Sequence, residues 1–157
     1  MAEIVGAVTT LGRSLFPQML GGLLPMQVIA YFKVGEGGWV NPGSGKVPRT
    51  PDASFTDLDA VLDAGRLPLN KRYPADSTGT FQKAFVGGDL TFVGPSTLRC
   101  RCFLDFGEFN DDGFGNDPEI WEIGAFDAAG NMIGYGTFPL QLKDITKQLE
   151  NFLRFVF

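Results

Sequence analysis

The sequence holds 157 residues in 17.0 kDa, enough for one domain with its own core and too little for two ordinary ones. A formal net charge of −5 leaves no surplus of Lys and Arg to neutralise phosphates, which argues against nucleic acid and anionic membranes as partners. There is no histidine, so the commonest nucleophilic designs are excluded and only a lysine could serve as their base, while 21 glycines and 15 phenylalanines point to β-structure with many corners.

Along the chain, "MAEIVGAVTTLGRSLFPQMLGGLLP" is apolar but is not a secretory signal, because Glu3 precedes the apolar run and Arg13 interrupts it. No uncharged window reaches the roughly 18 residues of a spanning helix. Ile4, Val8, Leu11, Leu15 and Met19 recur at helical spacing, which predicts an amphipathic helix that Pro17 should end or kink. Such a terminal helix carries too few cations for a membrane and is expected to dock on protein. Leu15, Phe16, Met19 and Leu20 are its candidate contact residues, and residues 1–24 are taken as a docking segment ahead of an antiparallel β-domain at 25–157.

A strand is predicted from Gln27 to Val34, and "NPGSGKVPRTPD" reads as a surface loop. Its Gly, Ser and Lys do not have phosphate-loop spacing, and Pro48 blocks a following helix. Ser54 and Asp57 suggest a capping box for a short helix with Phe55, Leu58, Val61 and Leu62 on one face, ending at Gly65. "LNKRY" is the most basic stretch and reads as a solvated turn.

From Phe81 the period becomes two. A strand is expected near Phe81–Val86, then a Gly-Gly turn, then a longer strand after Pro95 with Leu98, Cys100, Cys102, Leu104 and Phe106 on one face and Arg99, Arg101 and Asp105 on the other. Cys100 and Cys102 are neighbours on that face, a poor geometry for a disulfide and a good one for two small buried apolar groups; no metal ligand set accompanies them. "LENFLRFVF" predicts a last strand carrying Leu149, Leu153, Phe155 and Phe157. The sum is a mainly β fold, a single antiparallel β-sandwich or barrel-like domain with one or two short helices packed at an end or face.

"DFGEFNDDGFGNDPEIWE" concentrates carboxylates, but most lie in a glycine-rich loop rather than on the rigid elements that paired-carboxylate catalysis needs. "NDDGFGND" lacks EF-hand spacing, so no metal is assigned to it. Trp39, Phe109, Phe114 and Trp121 could build a sugar platform, the alternative function being a carbohydrate-binding module for host surface sugars. Trp121 shares a face with Ile123 and Ala125 and belongs in the core, whereas Phe114 between two glycines fits an exposed protein-contact anchor.

"FKVGEGGW", "LPLNKRYP" and "EIWEIGAFDAAGNMIGYGTFP" resemble the N-terminal domain of bacteriophage tail-collar fibre proteins. The likeness is most specific in the hairpin, at Glu122, Gly124, Phe126, Asp127, Gly130, Asn131, Ile133, Gly136 and Pro139. The resemblance implies a virion protein without enzymatic activity or cofactor, assembled in the bacterial cytoplasm into a phage tail. Its implied partners are tail fibres and other baseplate or collar proteins, and its implied state is a trimer or ring. In that family a receptor-binding shaft usually follows; here the sequence stops at Phe157, so an adaptor, hub or baseplate role is expected over receptor recognition.

Overall fold

The computed structural model describes residues 2–22, 29–59, 82–109 and 117–157. In chain order they form β1 (Ala2–Val5), β2 (Ala7–Val8), α1 (Thr10–Leu20), β3 (Ile29–Gly35), β4 (Trp39–Val40), β5 (Val47–Pro48), β6 (Lys83–Ala84), β7 (Leu90–Gly94), β8 (Thr97–Leu104), β9 (Glu119–Asp127), β10 (Met132–Leu142) and β11 (Leu149–Val156). One sheet has the order β1-β11-β8-β7, the other β2-β10-β9-β3-β6, and β4 pairs with β5 as a separate ribbon. Pairing is antiparallel except between β1 and β11, which run parallel.

The two sheets face each other across a shared core, so the fold is sandwich-like and mainly β, as the turn and strand pattern predicts. Leu98, Cys100, Cys102 and Leu104 of β8 and Leu153 and Phe155 of β11 pack against Phe32, Val34, Ile123 and Ala125 of the larger sheet. Each large apolar side chain removed from water contributes roughly 1.5–3 kcal/mol. Alternation on β8 is strict, with each inward residue buried and each outward one part-exposed. Burial lifts the Cys100 thiol to about 12 and the Cys102 thiol well above its ordinary value, so both behave as apolar groups, free and unbridged.

The larger sheet is covered on both faces, and β9 is buried from Ile120 to Asp127 for that reason. Tyr31, Phe126, Met132 and Tyr135 on its second face pack under Leu58 and Phe55 from the segment that follows β5. Tyr31 and Phe126 stack with centroids 5.3 Å apart. The hairpin of β9 and β10 turns where predicted: Gly130 has φ +91°, and the Asp127 carboxylate accepts hydrogen bonds from the amides of Ala129 and Asn131, both at 2.9 Å.

The start of the chain departs from its helical pattern. Ile4 and Val8 are core residues on strands, β1 completing one sheet and β2 the other, with the switch at Gly6. A Cβ at Gly6 would lie 2.5 Å from the Phe155 ring, so only a glycine lets the chain cross there. The spacing of Ile4 and Val8 fits a helix, but two open strand edges claim them, and residues 2–8 are part of both sheets rather than a segment standing off them. The helix proper starts at Thr10 and runs through Pro17 to Leu20, further than the proline suggests.

Other expectations also shift. Residues 53–59 form turns and bends with no first helical turn at Ser54; the Asp52 carboxylate accepts from the Ser54 amide and Asp57 caps its neighbour Leu58 instead. The remainder of that predicted helix, and "LNKRY", lie outside the described residues. Strand β7 was not anticipated, because its residues from Thr91 to Val93 are all exposed and carry no alternation. Phe106 lies beyond the end of β8 in an exposed turn, and Phe157 is half-exposed while Asn151 occupies an inward position of β11, bonded to Gln141.

Candidate functional site

Of the predicted contact residues, those on α1 are positioned by a built helix start. Thr9, buried, is the N-cap: its hydroxyl accepts from the Gly12 amide at 2.9 Å and donates to the Met132 carbonyl at 2.5 Å. Gly12 then lies flat on β10, where a Cβ would come within 2.8 Å of the Ile133 carbonyl. This orientation turns Leu15 inward, only 8% exposed, and Leu20 outward, 69% exposed. Leu15 is therefore used by the molecule's own packing, and Leu20 is available to a partner. Phe16 and Met19 lie on α1 by their backbone, and their side chains, like the whole of Phe114, fall outside the described residues.

The most constructed polar cluster was not foreseen. Glu122, 0% exposed, accepts from the Tyr135 hydroxyl at 2.6 Å and from the Asp59 amide at 3.0 Å. Arg49 donates from Nε to the Tyr135 oxygen at 3.2 Å, pairs with Asp59 at 3.2 Å and lies 4.0 Å over the Phe55 ring. The Arg49 carbonyl accepts from the Thr137 hydroxyl and the Arg49 amide donates to Gly38. Burial, followed by the bond to Glu122, pushes the Tyr135 phenol up, so it stays a neutral donor. Through these contacts the cluster clasps residues 36–59 onto the hairpin.

The sequence held one sign of it: Glu122 is a charge amid the apolar run from Ile120 to Phe126, where a carboxylate needs partners. Arg49 could not be found this way, because it reaches Tyr135 across 86 positions of sequence from within a loop read as surface.

Of the sugar-platform residues, Trp39, Phe109 and Trp121 are among the described ones. Phe109 is fully buried, with φ 58°. Trp121 is buried as expected, with its indole N–H 3.4 Å from Glu119. Trp39 donates its indole N–H to the Glu36 carbonyl, and Lys46 covers its ring at 4.4 Å. Of the carboxylates weighed for catalysis, Glu119 pairs with Lys46 at 3.0 Å, while Asp111 and Asp112, with most of the calcium-like stretch, lie outside the described residues. Among the described residues no cluster of three or more potential metal ligands occurs, and no helix is long and apolar enough to cross a membrane.

Comparison with protein-family models, with curated proteins and with solved structures returns no match.

Proposed function

We propose that this protein is a structural, non-enzymatic component of a bacteriophage tail, a baseplate or collar adaptor that joins tail fibres to their neighbours as a homo-oligomer. The observation that carries this reading is the hairpin from Glu119 to Pro139, whose residues match the tail-collar pattern at Glu122, Gly124, Phe126, Asp127, Gly130, Asn131, Ile133, Gly136 and Pro139. The role of those residues in the fold is compatible with a rigid adaptor: Gly136 admits Leu153 and Ile4 of the facing sheet, and Glu122 locks the hairpin beneath its covering segment. An adaptor also needs an outward apolar contact on a firmly anchored element, and Leu20 at the end of the capped helix α1 is a candidate for it.

The test is incorporation. Leu20→Glu adds a charge at an exposed position and should leave the melting temperature of the isolated protein unchanged, while lowering its yield in purified tails at least tenfold. Normal incorporation of the folded variant would remove Leu20 from the contact.

A further inference from the structure

Among the described residues the two sheets end in four outer strands, and three of these are blunted against further pairing. Strands β2 and β6 hold only two residues each, and β1 carries the charge of Glu3. Strand β7 has none of these guards. It runs for five residues, LTFVG, with no charge and no proline, and among the described residues it is bonded to β8 alone.

The register sets which groups the open side of β7 presents. The Arg101 amide donates to the Asp89 carbonyl at 2.7 Å, so Asp89 and Thr91 are the positions bonded to β8, and the N–H and C=O of Leu90 and Phe92 turn away from it. Side chains sort by the same register. Leu90 and Phe92 lie opposite Cys100 and Leu98, whose side chains fill the core, and Leu90 packs against that core. Phe92, on the same side of the sheet, is 81% exposed, and Thr91 and Val93 beside it are exposed too. An uncovered aromatic ring on the core side of a sheet, beside a row of outward-turned backbone groups, calls for one more strand.

We propose that β7 joins β7 of a second copy of this chain, antiparallel about a two-fold axis at Thr91, merging two four-stranded sheets into one. The strand is complementary to itself in that register. Leu90 meets the second copy's Phe92, and Phe92 meets its Leu90, so these residues exchange their open N–H and C=O groups and each Phe92 ring covers a Leu90 on the core side. Thr91 meets Thr91, Asp89 meets Val93 and Gly88 meets Gly94, so no like charges oppose each other and no side chain blocks either end. Asp89 is already held by Arg101 and by the Val86 amide. The outward Arg99 side chains, opposite Thr91 on each β8, stand three strand spacings apart, about 14 Å, beyond the ~10 Å screening length of ordinary salt. What selects a second copy as the occupant is this match: the open backbone groups and the uncovered ring find their complement in the same five residues. The contact involves neither Leu20 nor the β9–β10 hairpin and does not rest on the attachment reading.

The test uses the purified full chain. Sedimentation velocity over a concentration series should show a monomer–dimer equilibrium. Phe92→Lys, which changes an exposed side chain, should raise the dissociation constant at least tenfold while its far-ultraviolet circular dichroism matches the parent's. Thr91→Cys reads the register, because a non-hydrogen-bonded pair at the axis brings its two Cα atoms to about 4.5 Å, within disulfide reach, and the chain's own cysteines are buried. Under mild oxidation by diamide it should form a disulfide-linked dimer, whereas Val5→Cys, exposed on the opposite edge of the same sheet, should not. A parent that stays monomeric or forms only trimers, association of Phe92→Lys equal to the parent's, no cross-link in Thr91→Cys, or cross-linking of Val5→Cys as complete as that of Thr91→Cys would overturn the proposal.

Discussion

Gly134 lacks a side chain because the Phe155 ring occupies the space where one would stand: a Cβ there would lie 2.1 Å from the ring. Gly136 does the same for Leu153 and Ile4, at 2.6 and 2.7 Å. These two positions lie one on each side of Tyr135: glycine faces the other sheet, and tyrosine faces the covering segment. Gly134→Ala should cost about 1–3 kcal/mol through overpacking, read as a lower urea midpoint with unchanged slope; a midpoint equal to the parent's would refute the contact. The buried thiols add a pH dependence. The folded state keeps protons on Cys100, whose thiol is lifted to about 12 chiefly by burial, and on Cys102, while the unfolded chain releases its own near pH 9. Their contribution to stability is therefore fully present below about pH 9 and is lost as the pH rises toward the folded value. Tyr135, raised chiefly by burial, acts in the same direction at higher pH. Urea midpoints should fall above about pH 9, and Cys100→Ala/Cys102→Ala should flatten that fall; an identical decline in the double variant would assign it elsewhere.

At the scale of elements, what could be read from the sequence was whatever local pattern alone decides. The β9–β10 hairpin, the inward face of β8 and the last strand were legible because alternation and an Asp-Gly-Asn turn suffice to specify them. The first strands were not, because Ile4 and Val8 lie four apart and satisfy a helix period equally well; only the open edges of β11 and β10, more than 120 residues away, select the strand. Local capping likewise suggested a helix at Ser54, where the demand of Glu122 and Tyr135 for cover instead keeps residues 53–59 in turns. Because β1 and β2 complete both sheets, deleting residues 2–8 removes Ile4 and Val8 from the core. Loss of a large buried aliphatic side chain typically costs about 2–5 kcal/mol, so the truncated chain should lose its cooperative thermal transition by circular dichroism. A truncated protein that melts cooperatively at the parent's temperature would show that the terminal strands are dispensable.

For the whole molecule, the candidate surfaces sit on a body built from both ends of the chain, with N-terminal β1 parallel to C-terminal β11 and α1 capped by a residue that also bonds β10. Little of those surfaces was legible beforehand. Leu20 could be named from helical spacing, but Leu15 on the same helix turned inward because Gly12 sets the face. A rigid sandwich with an anchored helix suits an attachment role in a tail, and its location is what decides between that role and sugar binding away from particles. The most direct measurement is immunogold labelling of virions from the host that makes the protein, viewed by negative-stain electron microscopy. The tail-adaptor account predicts gold clustered at the collar or the distal end of the tail; unlabelled particles, with the protein recovered free in the lysate, would contradict it.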